Sequence, residues 1–222
     1  MGFNIAIDGP AGAGKSTIAK QIAAELSFIY VDTGAMYRAI AYYLIQHGIS
    51  GEDVAAITEA CHDIDVSIEY QEGSQVVLLN GENVNPYIRT EQVSKMTSMV
   101  SVYPVVREKL LELQRKLAAE NDVLMDGRDI GTCILPNADV KIYLTASSRV
   151  RAERRYLEQT ARGTACSLEE IEKEIIDRDY RDMHREIAPL KQAEDAIVVD
   201  SSDMTIDQVV STVVNIVKEK QQ

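Results

Sequence analysis

The sequence predicts an α/β fold: a five-stranded parallel sheet with helices on both faces and a small antiparallel β lobe inserted into it. Three observations carry this. Five short apolar runs, at residues 3–7, 28–32, 123–126, 141–145 and 196–200, alternate with helical patterns, which is how strands covered on both faces read. A glycine-rich turn stands between the first run and the first helical pattern. Finally, Val66, Ile68 and Tyr70 alternate with polar residues, residues 76–79 are apolar, and Asn80-Gly81 follows, a strong hairpin signal.

In order along the chain, the first strand ends at Asp8 and gives way to Gly9-Pro10-Ala11-Gly12-Ala13-Gly14-Lys15-Ser16-Thr17. Gly9 to Ser16 fits the phosphate-binding pattern G-x-x-x-x-G-K-S/T, in the strand–loop–helix context that the pattern needs. Ile18, Ile22 and Leu26 then recur at helical spacing. Backbone amides of such a loop and the start of its helix attract phosphate oxygens. Lys15 is expected at the outer phosphates, and Ser16 on Mg²⁺.

The second strand opens into Asp32-Thr33-Gly34-Ala35-Met36-Tyr37-Arg38, a cluster of polar groups where ligands collect in open α/β sheets. A helical pattern over 52–64 precedes the β lobe, placed at about 63–90. Helices are expected over 91–102 and from Pro104, the latter with a buried stripe of Val106, Leu110, Leu113 and Leu117. After the third strand comes Asp126-Gly127-Arg128-Asp129-Ile130-Gly131-Thr132, whose charges suit a cleft better than a core. Two helices follow the fourth strand, over 147–161 and 168–185. On the second, Arg178, Arg181, Asp182 and Arg185 are spaced to share a face. The closing helix carries Ile206, Val209, Val210, Val213 and Val217.

The formal net charge of −12 argues against a broad nucleic-acid surface. It makes the cations informative: eight of the 13 arginines fall between Arg149 and Arg185. Such a run is most often a solvated helix face paired with its own glutamates. No run approaches the roughly 20 apolar residues of a membrane span, and the amino end shows no basic-then-apolar leader, so a cytoplasmic setting is expected. Cys61, Cys133 and Cys166 read as reduced, buried thiols, and His47, His62 and His184 form no ligand spacing.

The motif alone is shared by kinases, GTPases and motor ATPases. No N-K-x-D stretch reads guanine, and no nucleophile–base pair is evident. Arginines with isolated carboxylates suit phosphoryl transfer to an acceptor that is itself a phosphate, where positioning and charge neutralisation supply most of the catalysis. A kinase for another nucleotide or a small alcohol, and a slowly hydrolysing regulatory protein, stay open on this reading.

The segments 7–17, 32–38, Ile88-Arg89-Thr90, 126–132 and Ile187-Ala188-Pro189-Leu190 resemble those of bacterial cytidylate kinases, in order and spacing, over essentially the whole chain. The resemblance implies phosphoryl transfer from ATP, with Mg²⁺, to CMP or dCMP, by a protein expected to be a monomer with no nucleic-acid or membrane partner. It implies a P-loop kinase core (1–32, 108–148 and 164–222), a monophosphate-binding lobe (33–107) and a short helical lid (149–163). By position, Arg38, Arg128 and Arg185 are expected on the acceptor phosphate. Ser98, Arg107 and Asp129 are expected on cytosine, Arg178 and Asp182 on the sugar, and Thr33 and Tyr37 beside them. Lys15, Arg128 and Arg154 are the expected catalytic residues, Arg154 as the lid arginine on the transferring phosphoryl. Ser16 and Asp126 are the expected metal residues. Cytosine's exocyclic amine is a donor that the Asp129 carboxylate can accept, whereas uracil presents an acceptor there.

Overall fold

Strand β1 (Asn4–Asp8) is buried residue after residue from Ile5 to Ile7, so neither face of the sheet meets water there. The computed structural model describes residues 2–161, 163 and 165–221. Residue 162, within the segment expected as a lid, and residues 1, 164 and 222 lie outside that description. The described chain divides into two units, Gly2 with Tyr30–Asn121 and, in the other, Phe3–Ile29 with residues 122–221.

The larger unit holds β1, α1 (Lys15–Leu26), β6 (Val123–Gly127), β7 (Val140–Thr145), α6 (Ser148–Ala161), α7 (Leu168–His184), β8 (Ile197–Asp200) and α8 (Ile206–Lys220). With β2 (Ile29–Asp32) the parallel sheet has the order β2-β6-β1-β7-β8. Strand β2 enters it at Ile29, whose amide donates to Asp122 O at 2.9 Å. Strand β1 lies between β6 and β7, with Ile7 beside Asp126 and Ile142. The ends of β1 and β6 are therefore level, and the chain segments that leave them start side by side. Helices α1 and α8 pack on each other. The last strand departs from expectation, because Ile197 and Val198 are 40% and 50% exposed: β8 is an edge strand, open on a flank.

In the smaller unit, α2 (Thr33–Gln46), α3 (Val54–Asp63), α4 (Glu91–Val100) and α5 (Pro104–Glu120) accompany an antiparallel sheet β3-β4-β5 (Val66–Gln71, Ser74–Leu79, Glu82–Asn83). The Asn80-Gly81 hairpin forms as expected, both residues at positive φ. A second turn of the same kind at Glu72-Gly73 joins β3 to β4. Pro104 starts α5, but the fully buried line is Val106, Leu110, Gln114 and Ala118, not Leu113 and Leu117. These four follow the i+4 ridge of the helix, and Gln114 reaches the Met36 sulfur at 3.8 Å. Of the three cysteines expected to be buried, Cys61 is, whereas Cys166 is half-buried and Cys133 exposed on a turn.

Candidate active site

The loop after β1 is built around glycine. At Gly9 (φ 151°) a Cβ would stand 2.0 Å from Leu144 O, so β7 backbone occupies the space of any side chain. Gly14 (φ 85°) starts α1 from a left-handed conformation, and no described side chain caps that helix. By contrast, the Asp32 carboxylate caps α2 through the Ala35 amide. The first α1 amides are thus left for an anion, which the helix dipole also favours. Lys15 is 6% exposed and donates from Nζ to Pro10 O at 2.7 Å. Burial and the Arg128 charge push its pKa well down, Asp126 and Asp8 pull it back, and Arg178 adds to the depression. Ser16 Oγ donates to the buried Asp126 carboxylate at 3.0 Å.

The segment after β6 is tied to the end of the strand that leads into this loop. Asp8, 5% exposed, accepts the amides of Ile130 (2.8 Å) and Gly131 (2.7 Å). Those residues open a π-helical turn, Ile130–Ile134. Burial pushes the Asp8 carboxyl up to about 6, although the two amides and Lys15 oppose the rise. Arg128 Nε lies 3.1 Å from Asp182, and Arg185 Nη2 lies 3.2 Å from Asp129. The 187–190 segment folds back to hold α7's end: Leu190 N–H donates to Asp182 O, and Arg185 Nε to Ala188 O. Asp182 is accordingly buried while Arg181, expected on the same face, is exposed and bonded to Asp177 O.

Two arginines of α6 differ in placement. Arg154 donates to Ser201 O at 2.7 Å and Ser201 Oγ at 3.3 Å. Arg151 is the one against the phosphate loop. It donates to Ala11 O (2.9 Å), Ala146 O (2.8 Å) and Asp179 (2.6 Å), and its Cβ lies 3.4 Å from where a Gly12 Cβ would stand. Arg149 is a surface residue paired with Glu172 and Glu153, as a solvated helix face would be.

In the smaller unit Asp32 is the hub. Its buried carboxylate faces Arg38 at 3.8 Å and Arg89 at 2.6 Å. Burial raises its pKa, but the charges of Arg38 and Arg89 and the bonds from Arg89 and Ala35 outweigh that, holding it below the usual range. Gln75 of β4 clamps the Asp32 backbone: its Oε1 accepts the Asp32 amide at 2.8 Å and its Nε2 donates to Asp32 O at 3.2 Å. Thr33 and Tyr37 are buried on α2, and the Arg107 guanidinium lies 5.9 Å from the Tyr37 ring centroid. Ser98 is half-buried on α4.

A family model described as Cytidylate kinase matches residues 5–219. The chain belongs to the cytidylate kinase family. Relatives named cytidylate kinase in Ligilactobacillus salivarius (strain UCC118) and Geobacillus sp. (strain WCH70) are each 49% identical over 218 residues, covering 98% of this chain and 97% of each relative. The structure of TT1252 from Thermus thermophilus shares the fold, with a TM-score of 0.52 at 15% identity, covering 100% of this chain and 98% of that one. Within this cytidylate kinase family chain, Asp8, Gln75, Arg89, Arg151 and Asp179 hold positions that sequence reasoning gave no role. Arg89 stood in a quoted segment and Arg151 in the arginine run. Nothing in the sequence marks Gln75, whose amide substitutes for a neighbouring strand.

Proposed function

We propose that this chain transfers the γ-phosphoryl group of ATP to CMP or dCMP, giving CDP or dCDP. The observation that carries the reading is the crowding of cations at one loop: Arg128 and Arg178 both lie near enough to depress the buried Lys15. Asp126 and Asp8 offset part of that crowding, and bound phosphate would offset more of it. A triphosphate and a monophosphate bring roughly six negative charges between them, and positioning these is most of the catalytic task.

In the proposal, the amides and Lys15 of the 9–17 loop hold the ATP phosphates. Arg38, Arg128 and Arg185 bind the acceptor phosphate, with Thr33 and Tyr37 beside it. Ser98, Arg107 and Asp129 read cytosine, while Arg178 and Asp182 hold the sugar. Arg154 serves the transferring phosphoryl group. Ser16 and Asp126, two hard oxygen donors converging at 3.0 Å, fit Mg²⁺, which keeps most of its waters and takes few protein ligands. When bound, the ion neutralises phosphate charge. No helix among the described residues is long and apolar enough to cross a membrane, and the proposal is a monomer acting in the cytoplasm on small nucleotides.

A coupled ADP-release assay with CMP, dCMP, UMP and AMP tests this. The reading expects the highest kcat/KM with CMP or dCMP. Preference for AMP would overturn the cytosine assignment, and no transfer to any monophosphate would favour the regulatory alternative.

A further inference from the structure

We infer that Asp8 is a positioning residue for the acceptor: its carboxylate holds the turn that carries Arg128 and Asp129 to the strand that leads into the phosphate loop. This rests on the roles proposed for Arg128 and Asp129.

Strand β1 ends at Asp8, level with Gly127 of β6. The π-helical turn begins one residue after Asp129, and Asp129 gives it no side-chain cap. Its first amides need acceptors, and Asp8 supplies one oxygen to each, at 2.8 and 2.7 Å. A carboxylate is the side chain with two acceptor oxygens; an asparagine in its place would turn a donor toward one amide. The turn is held from a second direction as well. A Cβ on Gly131 would meet the Lys141 stem at 3.1 Å and Asp8 Oδ2 at 3.4 Å. That lysine is itself fixed, its Nζ 2.6 Å from Pro136 O and 2.8 Å from Asp195. The charges around Asp8 are Asp129 and Lys15, and Tyr143 lies level with it on β7. A protein that only needed a filled space here could use an apolar residue. Keeping a buried carboxylate, pushed up to about 6 by that burial, makes sense if the turn's geometry matters to function.

The test compares wild type, Asp8→Asn, Gly131→Ala and Asp129→Asn. It measures kcat and KM for CMP and UMP, ATP affinity by equilibrium titration, and unfolding in urea. Asp8→Asn is expected to raise the CMP KM roughly tenfold, as loss of a charged hydrogen bond implies, and to narrow CMP/UMP discrimination, with ATP affinity within about twofold. Gly131→Ala should move the same quantities. A folded Asp8→Asn with unchanged CMP KM, or with ATP and CMP weakened equally, overturns the inference. Should neither variant fold, hydrogen exchange on wild type decides: protected Ile130 and Gly131 amides support it, and free exchange overturns it. An Asp129→Asn variant with unchanged discrimination defeats instead the cytosine reading, and leaves the CMP-against-ATP split to judge Asp8.

Discussion

Arg185 and Asp129 meet at 3.2 Å with side chains only 7% and 6% exposed, joining the end of α7 to the segment after β6. A buried pair of this kind is costly to break and cheap to replace, because removing one partner strands the other's charge. Arg185→Ala should therefore lower stability by about 3–5 kcal/mol. Arg185→Met combined with Asp129→Leu should recover much of that loss while abolishing transfer to CMP. Urea unfolding with parallel kinetics checks both statements. Equal destabilisation by the single and double variants would contradict them.

Burial and the Arg128 charge work against the Lys15 ammonium more than Asp126 and Asp8 support it. Lys15→Met is expected to keep or gain stability while kcat falls by about 10²–10³, the cost of removing one preorganised electrostatic group. Thermal unfolding and steady-state rates on the same preparation show whether the two move in opposite directions.

Asp8 makes a prediction in pH. Its folded pKa of about 6 lies above the unfolded carboxylate's, so the folded form binds more protons between about pH 4 and 6. Its contribution is fully present below pH 4 and is lost as pH rises through 6, about 3 kcal/mol in all. Asp32, held low, acts with the opposite sign. The difference in unfolding free energy between wild type and Asp8→Asn isolates the first effect. It should shrink, then reverse or flatten, across that window.

Arg154 and Arg151 should separate by phenotype. Arg154→Ala is expected to lower turnover far more than it raises either KM; unchanged turnover would remove it from the mechanism. Arg151→Ala strips donors from Ala11 O and Ala146 O and leaves Asp179, 13% exposed, without its closest cation. Its first effect should be on stability, by about 3–5 kcal/mol, read by urea unfolding.

The strands, the Asn80-Gly81 hairpin and the phosphate loop were legible because local chemistry dictates them. Apolar runs have few alternatives, and Gly14 sits where the backbone needs positive φ. What was illegible depends on residues far apart in the chain. The π-helical turn has no pattern of its own and forms where Asp8, more than 120 residues away, accepts its amides. Gln75 falls just before the apolar run 76–79 and reads as an ordinary polar residue until Asp32 lies beside it. The i+4 line through Gln114 escaped because leucine, not glutamine, is what apolar periodicity looks for. Spacing also grouped Arg181 with Asp182, whereas the returning 187–190 segment covers one and leaves the other in water.

The most direct measurement of the central claim is the ratio of kcat/KM for CMP over UMP, in wild type and in Asp129→Asn. A carboxylate facing uracil O4 sets two acceptors together, worth about 1–3 kcal/mol, and an asparagine can turn its amide to suit either base. The account predicts a strong preference for CMP in wild type that falls roughly 5- to 150-fold in the variant. An unchanged ratio in a folded, active Asp129→Asn would contradict it.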